Sequence, residues 1–135
     1  MPACNVLRPP ETILVVDDDQ DMRWALEAAL ASIGCRIETV GAAQRAIASV
    51  AERAFAAAFV DARLPDMDGF RLVDALRDLR PAMRIVMISG YYLEDDPRIS
   101  LAMRESRIDG FLAKPFQIAA IANAARGNNG GNLRP

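Results

Sequence analysis

Four places in the chain carry side chains that could do chemistry together. Asp17, Asp18 and Asp19 are consecutive, Asp61 follows one apolar run, and Ser89 and Lys114 each follow another. Carboxylates gathered in one pocket repel, by about 4 kcal/mol for a pair about 4 Å apart at an effective dielectric near 20. A cation relieves that repulsion. A site of few carboxylates completed by water suits Mg²⁺ better than a transition metal. Lys114 would bring a compact positive charge of the kind that contacts phosphate. Ser89 would bring a hydroxyl able to donate or accept. Each also has a plainer reading: solvated helix caps for Asp17 to Asp19, a surface lysine, and an ordinary serine at a strand end. Those plainer readings lose ground only if one fold gathers all four places.

The elements between them do so. Ile13 to Val16 is a short β-branched run of the kind found in a buried parallel strand, and it stops at Asp17. Met22, Leu26, Ala29, Leu30 and Ile33 follow at helical spacing, with Asp19 or Asp21 as cap and Gly34 as stop. Arg36 to Val40 reads as a less apolar strand at the sheet edge. Ala43, Ala46, Ile47, Val50 and Ala51 mark a second helix. The unit then recurs. Ala57 to Val60 is a strand ending in Asp61. Gly69 to Leu79 is a helix with Leu72, Val73, Leu76 and Leu79 on one face. Ile85 to Ile88 is a strand ending in Ser89, and Asp96-Pro97 opens a helix running to about Ser106. Phe111 and Leu112 lie in a last strand ending at Lys114, and Gln117 to Arg126 is the final helix.

Strict strand–helix alternation predicts a single doubly wound (βα)5 domain: a parallel five-stranded sheet, flavodoxin-like, with helices on both faces. In such sheets ligands bind beyond the carboxyl ends of the strands. Asp17, Asp61, Ser89 and Lys114 all stand at such ends. Residues 1–11 are expected to be a flexible N-terminal segment, residues 12–126 the domain, and residues 127–135, rich in Gly and Asn, a disordered tail.

Composition narrows the function classes. The 135 residues, 52% hydrophobic and 25% charged, are enough for one packed core without disulfide staples. A net charge of −2 with interspersed signs argues against direct nucleic-acid or membrane binding, which needs a concentrated positive field. Cys4 and Cys35 lack metal-ligand spacing and read as reduced thiols. No apolar run approaches the roughly 20 residues of a membrane helix, and Met1 to Glu11 has no signal core, so a cytoplasmic location is expected. The chain contains no histidine. It cannot itself donate a phosphoryl group from histidine or bind zinc through one.

The chain resembles the receiver domain of bacterial two-component response regulators. The likeness is carried by Ile13-Leu14-Val15-Val16-Asp17-Asp18-Asp19, Phe59-Val60-Asp61, Leu64-Pro65-Asp66-Met67-Asp68-Gly69, Ser89-Gly90 and Lys114-Pro115-Phe116, and it runs from about Thr12 to Arg126. The resemblance implies that Asp61 is the phosphoacceptor. It implies that Asp17, Asp18, Asp61 and the Arg63 backbone carbonyl hold Mg²⁺. Lys114 would pair with the phosphoryl oxygens, while Ser89 and Phe111 would form the switch and the Lys114–Pro115 bond would be cis. It implies as partners a sensor histidine kinase or histidine phosphotransfer protein and a downstream protein, and homodimerisation is left open. Such a domain is a phosphorelay switch rather than a turnover enzyme, catalysing only its own phosphorylation and dephosphorylation. Its output face would be built from the fourth helix, fifth strand and fifth helix.

Three departures from the family pattern stand out. Phe111 replaces a common Tyr, Arg63 and Tyr91 are bulky where they flank the phosphoryl group and suggest slowed hydrolysis, and the stretch Tyr91 to Pro97 is longer than usual. The rival reading is a Mg²⁺-dependent phosphatase of the haloacid dehalogenase type, which also uses an aspartate nucleophile after a strand. That class needs a second acidic residue two positions on, where this chain has Arg63, and it needs room for a cap domain. A nucleotide-binding module fails for want of a glycine-rich loop after the first strand.

Overall fold

The computed structural model describes residues 11–90, 96–114 and 118–126. The expectations for Cys4, the Tyr91 to Asp95 stretch, the Lys114–Pro115 bond, Phe116, Gln117 and the tail lie outside the described residues. The elements alternate throughout: β1 (Thr12–Val16), α1 (Gln20–Ala31), β2 (Arg36–Val40), α2 (Ala43–Glu52), β3 (Ala57–Asp61), α3 (Gly69–Leu79), β4 (Arg84–Ser89), α4 (Pro97–Arg104), β5 (Gly110–Ala113) and α5 (Ile118–Arg126).

The strands form one sheet in the order β2-β1-β3-β4-β5, and every pairing is parallel. This is the doubly wound, flavodoxin-like arrangement expected from the alternation. Less apolar β2 lies at an edge, while β3, whose five residues are all buried, lies at the centre. The chain leaves β1 outward to β2, then returns to the other side of β1 to lay down β3. The direction of winding therefore reverses between β1 and β3, the two strands that end at Asp17 and Asp61.

Side chains alternate between two apolar layers. Ile13, Val15, Phe59, Val86 and Ile88 pack with Leu26, Ala29 and Leu30 of α1 and Ile121, Ala124 and Ala125 of α5. Leu14, Val16, Val60 and Met87 face the other way, against α2, α3 and α4 through Val50, Leu72, Leu76 and Ile99. Full burial of each large side chain is worth about 1.5–3 kcal/mol. This two-sided packing holds the strand ends in register.

Helix starts follow local chemistry. Asp19 caps α1, its Oδ1 accepting from the Asp21 and Met22 N–H groups at 2.9 and 3.4 Å. Asp68 caps α3 and Asp96 caps α4 ahead of Pro97. Gly34, at φ 91, ends the turn after α1. Leu79, Ala51, α4 and β5 differ from the sequence expectation. Leu79 is 41% exposed and Ala51 is exposed, because both lie in the last turns of their helices, beyond the sheet they would cover. α4 stops at Arg104, since Ser106 adopts a left-handed φ of 60, and β5 stops at Ala113. Among the described residues no helix is long and apolar enough to cross a membrane.

Candidate functional site

β1 delivers Asp17 into the sheet's C-terminal end with its carboxylate fully buried. Its N–H donates to the Val40 carbonyl of β2 at 3.1 Å, and its own carbonyl accepts from Arg23 Nη1 at 2.7 Å. Asp17 Oδ1 accepts from the Asp19 N–H at 2.9 Å. Burial pushes the Asp17 carboxyl from 3.8 up to about 6; the Asp19 N–H and Lys114 pull it down, and the neighbouring Asp61 charge adds to the rise.

Asp61, the last residue of β3, is 7% exposed, and its Oδ1 accepts from the Arg63 N–H at 3.2 Å. Lys114 Nζ lies 3.3 Å from Asp17 Oδ2 and 3.6 Å from Asp61 Oδ2, so one ammonium faces both acids. It is placed there by the strand pairing, with the Lys114 N–H donating to the Ser89 carbonyl at 2.8 Å. Ser89 is itself buried at the end of β4. Asp18, exposed at the rim, completes a cluster in which one carboxylate oxygen from each of Asp17, Asp18 and Asp61 lies within 4.8 Å of the others.

This donor set fits a hard divalent cation. It is all oxygen and compact, and two of its three carboxylates, Asp17 and Asp61, are buried.

The loop from Ala62 to Asp68 frames the opposite rim. Arg63 and Asp68 pair across it as an antiparallel bridge. Gly69 closes it, donating to the Ala62 carbonyl at 2.9 Å. A Cβ at position 69 would lie 2.5 Å from the Asp61 carbonyl oxygen and 2.6 Å from Ala62 Cα, so only glycine permits this approach. The loop is tied to α4 through Arg98, which pairs with Asp68 Oδ2 at 2.9 Å and sits 4.1 Å above the Phe70 ring.

The fold therefore brings together Asp17, Asp18, Asp61 and Lys114, with Ser89 at the adjoining strand end and Arg63 two residues beyond Asp61. Asp19 is spent on capping α1 and is not part of the cluster. Phe111 pairs with Met87 across β4 and β5, and its ring is buried in the apolar layer beneath α4 rather than in the acidic pocket. Sequence reasoning missed Arg23, Arg98 and the contact that Asp66 makes with α2. The one available signal was the lack of a capping residue before α2.

The model for the response regulator receiver domain matches residues 13–126, and the chain belongs to that family: it is a receiver domain of two-component signalling systems. Its relatives include the C4-dicarboxylate transport transcriptional regulatory protein DctD of Rhizobium meliloti (strain 1021), 28% identical over 115 residues, 85% of this chain and 24% of that protein. The photosynthetic apparatus regulatory protein RegA of Rhodobacter capsulatus is 34% identical over 115 residues, 84% of this chain and 60% of that protein. The chain thus spans about a quarter of DctD and under two thirds of RegA. Among solved structures, a CheY-like receiver domain protein from Methanospirillum hungatei JF-1 aligns with a TM-score of 0.77 at 27% identity, over 84% of this chain and 89% of that one. The haloacid dehalogenase reading is not favoured.

Proposed function

We propose that Asp61 is the phosphoacceptor of this receiver, taking a phosphoryl group from a phosphohistidine on a sensor histidine kinase or histidine phosphotransfer protein. The observation that carries the reading is a nearly buried strand-end carboxylate that shares an ammonium, Lys114, with a second buried acid. In the transfer, an Asp61 carboxylate oxygen attacks phosphorus in line, the P–N bond breaks, and the imidazole leaves with the electron pair. The donor histidine lies outside this chain, which has none.

Asp17, Asp18, Asp61 and the Arg63 carbonyl are the residues that would hold Mg²⁺. Bound there, its contribution is to neutralise charge on the phosphoryl oxygens. The chain's own residues do the rest. The Arg63 N–H orients the Asp61 carboxylate, and Lys114, already between two acids, pairs with the incoming oxygens. The Ser89 hydroxyl turns toward the new phosphoryl group, and the space it vacates is taken up by Phe111. That shift remodels the α4-β5-α5 face for a downstream protein, in a cytoplasmic phosphorelay without direct nucleic-acid or membrane contact. The domain turns over no external substrate.

Incubation with a small acyl phosphate and Mg²⁺ tests the reading. One base-labile phosphoryl group should appear, and Asp61→Asn should abolish it. Equal labelling of that variant would place the acceptor elsewhere.

A further inference from the structure

α2 begins without a cap of its own. Ala42 occupies the N-cap position with extended backbone, φ −150 and ψ 154, and makes no side-chain hydrogen bond there. The first N–H groups of the helix are satisfied from a distant part of the chain. Asp66 Oδ1 accepts from the Ala43 N–H at 2.9 Å, and Asp66 Oδ2 from the Gln44 N–H at 3.0 Å. Both carboxylate oxygens are thereby committed to the positive end of a helix dipole. The two bonds, Ala43's first, hold the Asp66 carboxyl below its usual value.

Asp66 lies in the loop that frames Asp61. At the inner end of that loop the Arg63 N–H meets Asp61 Oδ1, and Arg63 pairs with Asp68 across it. At its outer end Gly69 returns to the Ala62 carbonyl. The loop is therefore a closed turn hanging from β3, and Asp66 fastens its far side to α2.

We propose that Asp66 is a positioning residue for the phosphoacceptor pocket: by capping α2 from the β3–α3 loop, it fixes the Arg63 backbone beside Asp61. The inference rests on the functional reading above, in which the Arg63 carbonyl is a metal ligand. The competing account is that Asp66 serves only the stability of α2. The two accounts separate because a cap can be supplied from another position. Ala42 already has the extended backbone of an N-cap residue, so Ala42→Ser can satisfy the first turn locally and leave the loop untethered.

The experiment compares the full chain with Asp66→Ala, Asp66→Asn and the double variant Ala42→Ser/Asp66→Ala. Amide exchange is measured in EDTA, and Mg²⁺ affinity by amide-shift titration. In Asp66→Ala, Arg63 and Leu64 amides should exchange about fivefold faster, the effect of losing one cap. Mg²⁺ affinity should fall about tenfold, as for loss of a group that orients a ligand. Asp66→Asn, which keeps an acceptor, should fall between. The double variant should regain the denaturation midpoint of the parent while both loop readouts stay impaired. Recovery of loop exchange and Mg²⁺ affinity in the double variant would overturn the proposal, as would unchanged values in Asp66→Ala. If the parent itself neither binds Mg²⁺ nor is phosphorylated on Asp61, the functional reading fails, and the exchange measurements in EDTA still decide whether Asp66 holds the loop.

Discussion

Replacing Asp17 with Asn should stabilise the metal-free domain, although it removes a carboxylate of the proposed Mg²⁺ site. The Asp17 carboxyl is raised from 3.8 to about 6 by burial, by more than its bond from Asp19 and its pairing with Lys114 return. A rise of that size corresponds to about 3 kcal/mol against the ionised form in the folded state. The folded protein holds the extra proton between about pH 4 and pH 6, so stability falls as pH rises through that window. Asparagine keeps the oxygen that accepts from the Asp19 N–H and places an amide near the Asp61 carboxylate. In EDTA at pH 7.5, Asp17→Asn should therefore gain about 1–3 kcal/mol, roughly 4–12 °C in Tm for a domain of this size. At pH 4 the gain should vanish. Mg²⁺ at about 100 times its Kd should add about 2.7 kcal/mol to the parent and little to the variant, closing or reversing the gap. Thermal denaturation at two pH values, with EDTA or Mg²⁺, makes the measurement. A variant less stable than the parent in EDTA at pH 7.5, or equally favoured at pH 4, would refute the reasoning.

Two further outcomes are expected. Ser89→Ala should leave Asp61 labelling largely intact while shrinking the phosphorylation-dependent amide shifts of residues 98–126; full-size shifts would mean that the signal leaves the pocket by another route. Gly69→Ala forces a Cβ against backbone at 2.5 Å and should cost about 2 kcal/mol or more by denaturant midpoint, with slower labelling of Asp61; an unchanged midpoint would show that the loop yields freely.

Much of the fold could be read from the chain because the strands other than β2 are apolar runs that stop at a polar residue able to do chemistry. Asp17, Asp61, Ser89 and Lys114 were visible as strand ends for that reason. Their convergence followed from parallel topology alone. Within the acidic triplet the sequence left roles open: Asp19 and Asp17 are the same residue type, and only the start of α1 at Gln20 assigns one to the cap and the other to the pocket. Leu79 was misjudged because helical periodicity continues past the point where the sheet stops. The ties made by Asp66, Arg23 and Arg98 join residues far apart in the chain, and no periodic pattern announces such pairs.

Arg98 gives α4 the character of a mechanical detent. Its ion pair with Asp68 and its seat over Phe70 hold the first turn of α4 to the loop beside Asp61. Both contacts involve an exposed side chain, so each is worth about 1 kcal/mol or less. Driving a two-state element from almost wholly one form to almost wholly the other takes about 5.5 kcal/mol. The two contacts together thus define a rest position for the first turn of α4 while falling well short of that figure. Because the ion pair is screened by salt, the sharpness of that rest position is set partly by the ionic strength around the protein.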